Sequence, residues 1–333
     1  MYLEHWGLSR PPFRITPETC QFFDGAMRGS ILKALEYAIL NGEGIVKVSG
    51  EVGSGKTMLC RVLEERLTGR IEVVYLGNPS LSPTDVLRAI AFEMRLQVDA
   101  EASHLQLIQS LHEALLKRHA RGVQVVVFIE EAQSMSMETL EEIRLLSNLE
   151  TSSQKLLQMV LFGQPELDDN LVRREIRQLK ERITQNFSLP PFTRRDVEAY
   201  LRFRMRNSGY RGPDVFSRGA VKVITRASQG LARRVSILAD KSLLAAFSEG
   251  SHNVRPRHAA AAVADCEFGE LARRPAPTHP FRWRAAAAVA LVGITVMLAL
   301  GYLTGNDGSG WLAFNATGSV FADVADIQAG EEQ

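Results

Sequence analysis

Cysteine is scarce in this 333-residue sequence. Cys20, Cys60 and Cys266 are odd in number and far apart, with no CxxC pair and no zinc-type cluster. That argues against a disulfide framework. An excess of either charge is also missing: 39 Lys and Arg stand against 38 Asp and Glu, a net of +1. Taken as an average, this speaks against a strongly basic nucleic-acid binder. The opening stretch, MYLEHWGLSRPPF, lacks the apolar core of a signal peptide. Internal repeats are absent. With 45% hydrophobic and 23% charged residues, the chain is ordinary globular protein rather than disordered, collagen-like or coiled coil. Its length suits roughly two domains.

The average hides unlike parts. Residues 285–303, AAAAVALVGITVMLALGYL, hold no charge over 19 positions. As a helix this run spans about 28 Å, close to the ~30 Å of a bilayer core. Arg273, Arg274, Arg282 and Arg284 precede it, whereas residues 304–333 contain no Lys or Arg and five acids. Trp283 and Tyr302 stand where interfacial aromatics belong. The expectation is a single transmembrane helix in a bacterial inner membrane, with the N-terminal part cytoplasmic and a short periplasmic tail. The alternative, an Ala-rich core helix, lacks anything C-terminal that could cover it. The net charge then divides into +6 for residues 1–303, 39 basic against 33 acidic, and −5 for the tail.

Apolar β-rich runs alternate with helical stretches from Ile45 onward, as in a parallel α/β sheet. Strands are expected at 45–49, 71–76, 123–129, 156–162 and 183–189. Helices are expected at 56–67, 83–96, 104–119, 136–149 and 165–179, with Ser136 as an N-cap. Pro190-Pro191 closes this section, and 192–268 read as helices only. The domains expected are a three-layer αβα core over 1–190 with a five-stranded parallel sheet and a helical lid over 191–268. A Pro-containing linker (269–284), the membrane helix (285–303) and the tail (304–333) follow.

Gly50-Glu51-Val52-Gly53-Ser54-Gly55-Lys56-Thr57 fits GxxxxGK[ST], the Walker A or P-loop pattern, between an expected strand and an expected helix. Glycines let the backbone wrap phosphates, and the following helix start attracts anions. Lys56 would reach the β- and γ-phosphates, Thr57 would ligate Mg²⁺, and Met58 would follow in the first helical turn. The apolar strand 123–129 ends in Glu130-Glu131-Ala132-Gln133. The first acid would orient Mg²⁺ and its waters, and the second would polarise an attacking water. Asp is usual at the first position, and Glu130 carries one methylene more.

Taken in order, these motifs resemble the AAA+ ATPases of the general secretion pathway protein A type. Relatives of that type serve MSHA pilus biogenesis and exopolysaccharide or PEP-CTERM export. The matching residues are Met1-Tyr2, His5-Trp6-Gly7-Leu8, Pro12-Phe13 and Thr16-Pro17, then GEVGSGKT (50–57), EEAQ (130–133) and LSNLE (146–150). VLFGQPEL (160–167), RQLKERI (177–183) and GLARRVSILADKSLLAAF (230–247) complete the set, so the resemblance covers about residues 1–265. It departs at Trp6, where Phe is usual, at Glu130, and at Ala232, where Pro is common. Only some 30 residues follow position 303, too few for the periplasmic peptidoglycan-binding domain of secretion protein A. Direct peptidoglycan binding is therefore not expected.

The resemblance implies further roles. Gln164 falls at the sensor-1 position facing the γ-phosphate or the water. Arg182, with Arg177 as rival, falls where an arginine finger reaches a neighbouring subunit's nucleotide. Arg233, with Arg234 as rival, falls at the sensor-2 position of the lid. Phe13 and Ile15 are candidates to line the adenine pocket. A finger in trans implies self-association into a ring or arc. Binding and hydrolysis of ATP with Mg²⁺, in support of an envelope secretion, pilus or polysaccharide-export machine, is the function implied.

Two other readings stand beside it. Residues 170–235 hold 16 Lys/Arg against five Asp/Glu, a local +11. That suits a subunit interface, anionic lipid, or nucleic acid as in ATPases that assist DNA transposition. The Glu130 substitution also suits a nucleotide switch with little hydrolysis.

Overall fold

Strand residues alternate between two buried layers, and this alternation builds the sheet. Val74, Leu76, Val125, Val127, Ile129, Leu157, Met159 and Leu161 face one core. Val46, Val48, Val126, Phe128, Val160 and Phe162 face the other. A strand whose two faces are both covered reads as a near-continuous apolar run, which is how 125–129 reads in sequence.

The computed structural model describes residues 2–152 and 154–266. The elements run α1 (Tyr2–His5), α2 (Arg28–Leu40), β1 (Ile45–Ser49), α3 (Lys56–Leu67), β2 (Glu72–Leu76), α4 (Pro83–Glu93), α5 (His104–Ala120) and β3 (Val125–Ile129). They continue with α6 (Met137–Leu146), β4 (Leu157–Gly163), α7 (Glu166–Leu171), α8 (Arg177–Glu181), β5 (Ile183–Ser188), α9 (Arg194–Asn207), α10 (Arg218–Ser228), α11 (Ala232–Ser248) and α12 (Pro256–Ala264). The sheet is five-stranded and parallel, in the order β2-β3-β4-β1-β5. β4 lies between β1 and β3, so the C-terminal ends of these three strands open on a common edge. Ligands bind at such an edge in open α/β sheets.

Two features depart from the sequence-based expectation. Helix α2 was not expected, although Ile31, Leu32, Leu35, Ala38 and Ile39 form a buried stripe at helical spacing. The single helix expected over 165–179 is broken into α7, a 3₁₀ turn at Arg174–Ile176, and α8. Leu171 and Ile176 are both buried in the same core yet five residues apart. A continuous helix would turn them to different faces, and the break restores both to the core. Ser136 caps α6 as expected, its hydroxyl accepting from the Thr139 amide at 3.1 Å.

After β5 the described residues are helical, apart from one isolated bridge between Phe216 and Val254. Val235, Leu238, Ala239, Leu243 and Ala246 give α11 a strict buried stripe. The first residues of the chain belong to this helical core, not to the sheet: Trp6, Leu8 and Phe13 are buried in it. Arg204 of α9 fixes them, its Nε donating to the Pro12 carbonyl at 2.6 Å. Among the described residues no helix is long and apolar enough to cross a membrane. The membrane helix expected at 285–303, its linker and the tail lie outside the described residues.

Candidate functional site

The loop after β1 turns twice through backbone conformations that favour glycine, at Gly53 (φ +78°) and Gly55 (φ +104°). It delivers Lys56 and Thr57 to the start of α3. Lys56 is buried, and its Nζ folds back to donate to the carbonyls of Gly50 at 2.7 Å and Glu51 at 3.2 Å. Burial holds this ammonium below the ordinary lysine range, although Glu131 and Glu130 pull the other way.

Glu130 and Glu131 leave β3 in different directions, because Glu131 adopts a left-handed conformation (φ +53°). Such a non-glycine residue is held by its surroundings. Glu131 Oε2 accepts from Gln133 Nε2 at 2.7 Å and from Gln164 Nε2 at 2.9 Å. Burial would raise its pKa, but these two bonds and the charge of Lys56 prevail and hold it below the usual glutamate range. The side chain stays ionised, as an acceptor of a water proton must.

Glu130 turns toward α3. Its Oε2 accepts from Tyr75 Oη at 2.9 Å and lies 3.5 Å from Thr57 Oγ1. Burial, and then the bond to Glu130, raise the Tyr75 pKa, so the phenol keeps its proton. Glu130 Oε1 is shielded from solvent, and the buried Cys60 thiol lies beside the same carboxylate. A carboxylate beside a threonine hydroxyl is an all-oxygen donor set, which fits a hard cation such as Mg²⁺. No group of three or more His, Cys, Asp or Glu poised for a metal occurs among the described residues. Such a cation would therefore draw its remaining ligands from phosphate and water.

The helical part closes the site. The Arg233 amide, in the first turn of α11, donates to the Gly53 carbonyl at 3.0 Å. A methyl group on Gly53 would come within 2.8 Å of Arg233 Cβ. The resulting cleft, of about 520 Å³, is lined by residues 52–58, Glu131 and Arg233. Ile15, Pro17, Phe22, Phe23 and Phe192 add an apolar end. Arg14, Arg28 and Arg204 add positive charge. A polyanion with a flat apolar group suits this lining.

The sequence-derived candidates divide accordingly. Val52, Gly53, Ser54, Gly55, Lys56, Thr57, Met58, Glu131 and Arg233 line the cleft, with Gly50 and Glu51 just behind through their carbonyls. Gln164 reaches the site through Glu131. Arg234 bonds instead to Gln229, at 2.7 Å. Ile15 lines the cleft, whereas Phe13 is core, with its ring 6.0 Å from that of Phe216. Neither Arg182 nor Arg177 lines it: Arg182 donates to Ser147 Oγ at 2.8 Å, and Arg177 pairs with Glu181 at 3.4 Å.

Sequence reasoning assigned no role to three residues that matter here. Gln133 sits inside a quoted motif and joins both neighbours, accepting from the Gln164 amide at 2.9 Å while it donates to Glu131. Buried Arg28 stacks on Phe192, 3.9 Å from the ring centre, and donates to the Ser54 carbonyl at 2.9 Å. Burial lowers its pKa to about 10. Tyr75 is the third. No local sequence pattern marks Arg28 or Tyr75.

Fold, loop and acids together form a candidate site for a nucleotide's phosphates, and the family model for the AAA domain matches residues 39–171. That stretch of the chain is similar to an AAA domain. The chain is similar to "General secretion pathway protein A" of Aeromonas hydrophila, with 41% identity over 254 residues, 76% of this chain and 46% of that protein. It is also similar to "ATP-dependent target DNA activator B" of Escherichia phage D108, at 27% over 187 residues, 55% of this chain and 56% of that one. The chain thus spans about half the length of these curated relatives.

Among solved structures, the Aeropyrum pernix ORC2 protein, in ADPNP-ADP complexes, superposes with a TM-score of 0.56. Its identity is 15%, over 78% of this chain and 75% of that one. Cdc6p from Pyrobaculum aerophilum gives 0.57 at 16% identity, over 79% and 70%. At such identities the likeness concerns the fold alone.

Proposed function

We propose that this chain binds Mg²⁺-ATP in the cleft and hydrolyses its γ-phosphate. The observation that carries the reading is Glu131, kept ionised at the end of β3 by Gln164 and Gln133 beside the phosphate loop. Lys56 leaves its loop carbonyls to neutralise the β- and γ-phosphates. Glu131 accepts a proton from the attacking water, and Gln164 holds both in line. Thr57 and Glu130 would hold Mg²⁺, which would supply charge neutralisation to the phosphates. Arg233 contributes a guanidinium from the helical part, which acts as the lid. Arg182 of a neighbouring copy in a ring or arc completes the charge. The test is phosphate release by the full chain. Loss of release in Glu131→Gln with retained nucleotide binding supports the reading, and undiminished turnover in that variant sinks it.

The kinship with secretion protein A supports service to a cell-envelope secretion, pilus or polysaccharide-export machine. The apolar run at 285–303 supports attachment to the bacterial inner membrane, with the ATPase cytoplasmic and the tail periplasmic. Fractionation of cells, with protease protection of the ATPase part, tests that placement.

A second reading has its own observation. Arg218, Lys222 and Arg226 form an exposed stripe along α10, a helix without acidic residues. With the DNA activator among the relatives, a DNA-binding ATPase is the competitor. Binding to duplex DNA that weakens steeply with salt would favour it, and no binding at low salt removes it.

A further inference from the structure

Behind Thr57 of the cleft, Glu130 stands where Asp is usual. The extra methylene adds a rotatable bond, and a carboxylate that swings must be ordered before it can serve as a ligand. Here the swing is stopped. Tyr75 Oη donates to Oε2 at 2.9 Å, and Thr57 Oγ1 lies 3.5 Å from the same oxygen. The other oxygen, Oε1, is buried, and the buried Cys60 thiol of α3 lies beside the same carboxylate. Tyr75 occupies β2 opposite Phe128 of β3. The Glu130 amide in turn donates to the carbonyl of Leu76, the residue after Tyr75, at 3.1 Å. Two strands of the sheet therefore fix both ends of this contact, and no loop intervenes. A shorter aspartate at 130 would fall short of the phenol, so the tyrosine and the glutamate form a matched pair.

We propose that Tyr75 is a positioning residue that holds the Glu130 carboxylate by Oε2 beside Thr57, where the two side chains would meet the divalent cation of a metal–nucleotide complex. The proposal rests on the nucleotide reading of the cleft. It assigns to β2, a strand without any phosphate-loop or acidic motif, a part in metal coupling.

The test uses the full chain and a fluorescent ATP analogue. Binding is measured in EDTA, and then as a Mg²⁺ titration at fixed nucleotide. Tyr75→Phe removes one oxygen and keeps the ring packed. It is expected to bind nucleotide in EDTA like the parent and to need about tenfold more Mg²⁺ at the midpoint. In a Glu130→Asp background the same change should move the midpoint by less than about twofold, because the contact is already gone. An unchanged or lower midpoint in Tyr75→Phe overturns the proposal. An equal shift in both backgrounds also overturns it, since it would mark Tyr75 as packing only. Failure of the parent to bind nucleotide in either condition removes the underlying reading, and the proposal with it.

Discussion

Glu131 is positioned by two amides, and its ionisation depends on them. Burial alone would raise its pKa, while Gln164 and Gln133 donate to its Oε2 and win. A carboxylate held low acts as a base down to lower pH than an ordinary glutamate. Gln164→Ala removes one donor, so the acid limb of the kcat–pH profile should move to higher pH. Turnover should also fall on the order of tenfold or more, from loss of orientation. Lys56 gives the opposite limb. Its ammonium is held low by burial, so nucleotide affinity of the free protein should fade with rising pH sooner than an ordinary lysine would allow. Calorimetric titration across alkaline pH checks this. The phosphate loop and both acids were legible in the sequence because their chemistry demands fixed types at fixed spacing. Arg28 was not legible: its contacts with Ser54 and Phe192 join distant segments and leave no local pattern.

At the scale of elements, the tightest junction is where the chain leaves the sheet for α9. The Phe192 amide donates to the Gly230 carbonyl at 2.8 Å, and Gly230 has φ +73°. A methyl group there would lie 2.3 Å from the Phe192 carbonyl oxygen. Backbone meets backbone, so neither side can yield by a rotamer change. Gly230→Ala should cost roughly 3 kcal/mol or more. Thermal melting should then fall by about 6 to 12 °C. Strands were legible because buried β-branched runs stand out between turns. The break between α7 and α8 was less so, since polar and apolar residues over 165–179 also fit one helix when only local periodicity is weighed. What decides it is the shared core of Leu171 and Ile176, a tertiary fact.

For the whole molecule, the sequence separates sheet from helices at Pro190-Pro191 but does not reveal that Trp6, Leu8 and Phe13 return to the helical core. That link joins residues some 200 positions apart and has no local signature. It makes the cleft a composite, with its phosphate end on the sheet and its apolar end on a segment clamped by Arg204. An arginine absent from its own cleft is what a finger in trans requires. Arg182→Ala should therefore lower turnover about 10³-fold or more. Mixing it with Glu131→Gln should restore part of the rate, because each copy then supplies what its neighbour lacks. No recovery on mixing would argue for sites that work alone.

The bond from the Arg233 amide to the Gly53 carbonyl has a mechanical consequence. It ties the crest of the phosphate loop to the first turn of a 17-residue helix. Any rotation of that helix away from the sheet must tug on the loop or snap the tether. On the proposed nucleotide reading, grip on the phosphates and the angle of that helix would be a single coordinate, and letting go of spent nucleotide and swinging the helix would be the same stroke.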